Sequence, residues 1–254
     1  MTHLMAIVLA LNEQEHIADC VASVSFADSI LVFDSYSTDD TVKLAQKAGA
    51  DVIQNLFDNY AQQRNDALNA ARGRGADWVL FVDADERIPA ELAEEIRVVI
   101  QNPQYDGWRI PRHNYIFGKL TRATGWYPDY QTRLLRVGSA YYDPERKVHE
   151  VVILSRGDDS LGTMKEHITH FNYKDAAHFA DKQRKYTAYE AQIMYEQDIR
   201  PKFRNFILQP LRHFRWRFIT LKGYQDGLHG FRLSCLMAWY EFKKYWLLRQ
   251  MWDK

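Results

Sequence analysis

The chain has 254 residues, 46% hydrophobic and 26% charged, with 33 basic and 33 acidic side chains and no net charge. That length holds one large domain or a domain with an appendage, and the composition excludes a disordered chain and an integral membrane bundle. Its two cysteines, Cys20 and Cys235, are far apart and lack metal-ligand spacing, as expected in a reducing cytoplasm.

The first hundred residues alternate short apolar runs with amphipathic stretches, the pattern of βαβ units and a parallel sheet. Residues 4–11 are apolar, follow no basic residue and lead straight into Asn12-Glu13, which predicts a strand and not a signal peptide. Residues 13–25 are predicted helical, and 30–33 form a second strand ending at Asp34. Ser37, Thr38, Asp39 and Asp40 can cap a helix through about residue 48 or serve a phosphate at its start. Gly49 stops that helix, 51–54 begin a third strand, 60–72 are helical and 77–82 form a fourth strand. Pro89 then opens a helix at its first turn, where proline is tolerated. From 107 to 171 the helical period disappears. Segments 107–115, 131–137 and 148–154 read as strands, joined by aromatic loops of the kind that recognise acceptors. Beyond 175 the pattern is helical nearly to the end, broken near Pro201, Pro210 and 223–230. An α/β catalytic domain over 1–172 and a helical extension over 173–254 are therefore expected.

The chemistry concentrates after Trp78-Val79-Leu80-Phe81-Val82, a buried-strand signature followed by Asp83-Ala84-Asp85-Glu86. Carboxylates there project into the crevice where open α/β sheets bind ligands. Charge at such a place is costly unless compensated, and a hard divalent cation bridging to substrate phosphates is the expected compensation. Asp34, at the end of strand two, can accept from a base or ribose. Arg64 lies on a helix flanking the same edge, where a lone arginine is equally a solvated charge.

Asn12-Glu13, the run Phe33-Asp34-Ser35-Tyr36-Ser37-Thr38-Asp39-Asp40-Thr41, Arg64-Asn65 and Phe81-Val82-Asp83-Ala84-Asp85 resemble, in that order, the motifs of family 2 glycosyltransferases. These are inverting enzymes of the GT-A fold. Residues 127–136 and Lys147-Val148-His149-Glu150 are similar to lipopolysaccharide inner-core β-1,4-glucosyltransferases of Gram-negative bacteria. The resemblance implies a UDP-sugar donor, glucose in the first instance, and a lipid-linked acceptor, the inner-core heptose. It also implies that Asp34 meets the base, Arg64 the nucleotide, Asp83 the ribose or metal, and Asp85 the Mg²⁺ or Mn²⁺ bridging the diphosphate. One departure is that Ala10-Leu11 stand where many members carry Thr-Tyr, so the aromatic that packs on the base is missing.

Inversion by direct displacement needs one general base on the acceptor hydroxyl. Glu150, after His149 and a predicted strand, is the expected base. Asp129 is the alternative or a holder of acceptor hydroxyls, and Glu86 is a third carboxylate. His170 is a further metal or phosphate contact implied by the resemblance, His167 a weaker one, and Lys185 could reach the diphosphate.

The neutral total hides an asymmetry: residues 1–150 carry 15 basic and 22 acidic side chains, whereas 200–254 carry 12 and 3. The last segment also holds four Trp, six Phe and three Tyr at helical spacing among those cations. Aromatic and basic residues so mixed suit an interfacial segment, here at the inner face of the cytoplasmic membrane. A docked helical core explains part of the pattern, and no nucleic-acid motif accompanies the charge. Rival readings are a transferase of the same fold on another glycan, a nucleotidyltransferase and an inactive nucleotide-sugar-binding scaffold. The second would want a Gly-rich basic loop after strand one, which 9–13 lack, and the intact Asp83/Asp85 pair argues against the third.

Overall fold

The computed structural model describes residues 2–102, 104–143 and 151–253. They form two compact units, one of residues 1–112 and 129–170, the other of 113–128 and 171–254. The second unit thus takes in 113–128 besides the helical region.

In the first unit, β1 (Leu4–Ala10), β2 (Ser29–Asp34), β3 (Asp51–Gln54) and β4 (Trp78–Asp83) are parallel in the order β3-β2-β1-β4. They alternate with α1 (Ile17–Ser23), α2 (Thr41–Lys47) and α3 (Tyr60–Gly73). β5 (Glu86–Arg87) and α4 (Ala90–Val99) follow. Successive strand residues face opposite sides of the sheet, and both sides are covered. Leu4, Ala6, Val8, Trp78, Leu80 and Val82 pack with Ile17 and Val21 of α1, Ala45 of α2 and Leu92 and Ile96 of α4. Met5, Ile7, Val79 and Phe81 pack with Ala61, Ala67, Leu68 and Ala71 of α3. This is the α/β architecture, parallel sheet and flanking helices, expected of GT-A.

Beyond β4 the sheet turns antiparallel. β8 (Tyr130–Arg136) pairs with β4, and β6 (Gly107–Ile116) pairs with β8 through its first residues. β11 (Leu161–Thr163) lies parallel to β6, and there Gly162 leaves room for the Trp108 ring, since a Cβ would sit 2.2 Å from Trp108 Cε3. β9 (Ala140–Tyr142) and β10 (Val152–Leu154) form a separate antiparallel pair. β12 (Ile168–Tyr173) meets β5 at His170 and Glu86, so the histidine segment is extended.

The second unit contains β7 (Lys119–Thr121), paired with the end of β6, followed by α5 (Ala176–Glu196), α6 (Asn205–Arg215) and α7 (Gly227–Trp252). A π-helical turn, Trp216–Thr220, continues α6. Asp175 starts α5 by accepting from the His178 amide at 2.8 Å. Ile116, Tyr173, Phe179, Leu233 and Tyr240 make its core. Cys20 is buried and Cys235 exposed; burial pushes the Cys20 thiol well above its ordinary value, and its Sγ donates to the Asp83 carbonyl at 3.6 Å. Among the described residues no helix is long and apolar enough to cross a membrane.

Candidate active site

Strand register brings the site together. Ala10 is level with Asp34, and Leu9 with Asp83, so β1, β2 and β4 end on one edge of the first unit. The segments that leave β1 and β2 there are tied to each other. Asn12, in the left-handed region at φ 56°, accepts from the Thr38 amide at 2.8 Å through its side chain and donates its own amide to Ser37 Oγ at 2.8 Å. The Glu13 amide donates to Thr41 Oγ1 at 2.8 Å and the Gln14 amide to Asp39 at 3.2 Å. Asp39 also accepts from the Thr41 amide at 3.0 Å; against the cost of desolvation, the Thr41 hydroxyl and these amides hold its carboxyl below the ordinary range. These bonds consume the amides of residues 12–14, and the helix expected over 13–25 begins only at Ile17. Tyr36, at φ 60° and half exposed, is held left-handed between these ties.

Asp34 is fully buried. It accepts from the Ser37 amide at 2.9 Å, from the Ser37 hydroxyl and from Gln54 Nε2 at 3.0 Å. Its carboxylate therefore shapes the turn after β2. Two of these donors meet Oδ2 and one meets Oδ1, which leaves Oδ1 one further acceptor position.

At the end of β4, guanidinium groups supply the compensation expected of a cation. Arg133, on β8 and nearly buried, grips both oxygens of Asp83, and Arg64 on α3 lies 3.6 Å from Asp83 Oδ1. Burial opposes the Asp83 charge, but Arg133 and then Arg64 outweigh it and keep the carboxyl well below the usual range. Arg64 is itself buried, its guanidinium 5.2 Å from the Phe81 ring centre and 5.6 Å from that of Tyr142, so it is not the solvated charge of the alternative reading. Glu86 is fully buried and accepts from Arg112 at 3.0 Å, Arg133 at 3.1 Å and the Asp83 amide at 3.0 Å. Those bonds make it an anchor beneath the strand end.

Asp85 takes a different environment. Its Oδ2 lies 3.4 Å from His170 Nε2 on β12. The described residues contain no cluster of three or more acidic, histidine or cysteine side chains able to hold a metal. Together Asp85 and His170 offer one carboxylate oxygen and one imidazole nitrogen, donors that would hold a divalent cation accepting both. Asp129 receives both the Nε of Arg112 at 2.9 Å and its terminal nitrogen at 2.7 Å, while Gln131 donates to its other oxygen at 2.9 Å. It is a braced carboxylate. Glu150 lies outside the described residues, His167 is half-buried with its pKa lowered by burial, and Lys185 belongs to α5 of the second unit.

A polar cavity of about 520 Å³ opens beside this network, lined among others by Arg64, Arg109, Tyr130, Arg133, Tyr142 and Asp158. The Arg109 guanidinium lies 5.1 Å from the Tyr130 ring centre. A planar cation over an aromatic ring, with hydroxyl, amide and carboxylate groups around it, suits a sugar or nucleotide. Arg112 and Arg133 are the members of this network that the motifs assigned no role. The available signal was an arginine in each of the strands predicted over 107–115 and 131–137.

A lipopolysaccharide core biosynthesis glycosyltransferase, LpsC, of Rhizobium meliloti (strain 1021) is 28% identical over 94% of this chain and 89% of its own length. An uncharacterized glycosyltransferase of Rickettsia conorii (strain ATCC VR-613 / Malish 7) is 26% identical over 96% and 89%. Among solved structures, glucosyl-3-phosphoglycerate synthase from Mycobacterium tuberculosis, in complex with Mn²⁺, uridine diphosphate and glucosyl-3-phosphoglycerate, gives a TM-score of 0.46. It is 16% identical and covers 67% of this chain and 72% of that one. Residues 5–140, more than half of the chain and running from the second residue of β1 through β8, match the family model for glycosyl transferase family 2, and to that family the chain belongs.

Proposed function

We propose that the protein transfers glucose from UDP-glucose, with inversion, to the inner-core heptose of a nascent lipopolysaccharide. The observation that carries the reading is the division of labour at the end of β4. Asp83 is fixed by two arginines, while Asp85 stands beside His170. Asp85 and His170 would hold a Mg²⁺ or Mn²⁺, which supplies Lewis-acid stabilisation to the diphosphate leaving group. Asp83, a third exposed, keeps an edge for the ribose, and Arg133 and Arg64 prevent that edge from moving. Asp34 acts on the base through the turn it holds, with Ser37 and Gln54 as its partners.

Glu150 takes the proton of the acceptor hydroxyl as the new C–O bond forms at the anomeric carbon. The glycosyl–phosphate bond breaks on the opposite side, and its electron pair leaves on the diphosphate oxygen. Asp129, oriented by Arg112 and Gln131, holds acceptor hydroxyls. Residues 1–172 carry this chemistry. The basic, aromatic extension over 173–254 works at the inner face of the cytoplasmic membrane, where a lipid-linked acceptor is found.

The test is calorimetric titration of UDP with and without Mn²⁺, followed by a panel of nucleotide sugars with a heptose acceptor. Asp85→Ala should lose the Mn²⁺-dependent part of UDP binding and all transfer, with an unchanged circular dichroism spectrum. Mn²⁺-stimulated transfer by that variant overturns the assignment, and preference for another nucleotide sugar overturns the donor.

A further inference from the structure

α6 and the π-helical turn after it bury no residue. Steps of three and four put Arg204, Ile207, Leu208, Leu211, Arg215 and Ile219 on one side. That side is aliphatic and open: Ile207 is 51% exposed, Leu208 57%, Leu211 61% and Ile219 53%. The side meeting α7 runs through Phe206 and along the flank at Phe214 and Phe218: Phe206 lies against Phe242 at 6.0 Å, and Phe214 and Phe218 against Phe231 at 5.8 and 5.7 Å between ring centres, while the four aliphatic side chains stay more than half exposed. A helix with one face packed should turn polar residues to water on the other, and this one turns leucine and isoleucine.

The charges beside that face follow one rule. Arg204, Arg212 and Arg215 are exposed, none makes an ion pair among the described residues, and α6 itself contains no carboxylate. Trp216, 46% exposed, stands where α6 passes into the π-helical turn. Pro210 removes one intrahelical bond without breaking the helix, and the Leu221 amide closes the π-helical turn on the Trp216 carbonyl at 2.8 Å.

We infer that α6 and the 216–220 turn form a membrane-insertion element for an anionic phospholipid bilayer. Ile207, Leu208, Leu211 and Ile219 enter the acyl boundary, the three guanidiniums take headgroup phosphates, and Trp216 sits at headgroup level. Charge complementarity selects this occupant over a second copy of the chain. Residues 200–254 carry 12 basic against 3 acidic side chains, and two such faces apposed would repel. The inference rests on the proposed membrane-surface location and is independent of the transfer reaction.

Flotation of the full chain with vesicles tests it, comparing phosphatidylcholine alone with phosphatidylcholine plus phosphatidylglycerol. The parent should float with the anionic vesicles, and Leu208→Asp/Leu211→Asp should lower partitioning at least about tenfold. Arg212→Gln and Arg215→Gln should each lower it about fivefold on anionic vesicles, equivalent to ~1 kcal/mol per guanidinium. UDP titration with Mn²⁺ on the same variants should match the parent, which separates this inference from the donor-site reading. A parent that stays with the soluble fraction, or a leucine variant that floats like the parent, overturns it. So does a concentration-dependent dimer abolished by the leucine substitutions, which would give the face to a second copy.

Discussion

Arg133→Met removes the group that joins the two acidic residues at the end of β4. Arg133 contributes both contacts to Asp83 and a third, at 3.1 Å, to the fully buried Glu86. Deleting one partner of a buried ion pair costs about 3–5 kcal/mol when the remaining charge is left alone. Here it is not quite alone, because Glu86 keeps Arg112 and the Asp83 amide, each at 3.0 Å, and Asp83 keeps Arg64 at 3.6 Å. The expected loss is therefore about 2–4 kcal/mol, the lower part of that range extended downward. Native-state hydrogen exchange of the β4 amides reads the first unit specifically, and they should exchange about thirty- to seven-hundredfold faster. Adding Glu86→Gln should return at least ~1 kcal/mol, because it discharges the carboxylate left behind. The acid limb gives a second reading. Asp83 is held below the ordinary range, so its stabilising share is complete above the unfolded value of ~3.9 and is lost as pH falls through the lower folded value. Arg133→Met raises that folded value, and stability should fall less steeply below about pH 4. Exchange within ~0.5 kcal/mol of the parent, with an unaltered acid limb, would show that this network does not hold the strand end.

Glu150→Gln should lower turnover about 10²–10⁴-fold with little change in UDP affinity, whereas Asp129→Asn should chiefly raise the acceptor KM. Kinetics with both substrates varied separates them, and the reverse pattern exchanges their roles. Asp34→Ala should weaken UDP binding by about 1.5–3 kcal/mol in calorimetry, since it frees the turn that Ser37 and Gln54 secure. Gly162→Ala should destabilise the protein by about 1–3 kcal/mol in thermal melts, because the new Cβ falls on the Trp108 ring.

β1, β2 and β4 were legible because strands of a parallel sheet covered on both faces carry continuous apolar runs, as 4–8 and 78–82 do. The two-residue β5 leaves no such trace. The late start of α1 was illegible for another reason: the partners of residues 12–14 lie 25 to 28 positions away, on the far side of β2. The acidic pair was legible as a pair, but its protein partners were not: Asp83 meets Arg64 on α3 and Arg133, 50 positions away on β8, whereas Asp85 meets His170. No local window contains that distinction. His170 could be placed only once β12 was known to be extended and level with Glu86.

The two cysteines make the chain its own clock. Cys235 is exposed in the second unit, so an alkylating reagent should reach it in the folded protein, at a rate somewhat below that of a free thiol because partial burial raises its pKa. Cys20 lies sealed beneath the end of β4, its thiolate suppressed by burial, and can be labelled only when the first unit opens. Counting adducts over time, one fast and one slow, therefore measures how often the unit bearing Asp83 and Asp85 stands open. No dye, tag or engineered residue is needed. Any nucleotide or cation that closes that strand end should register directly as a delay in the second adduct.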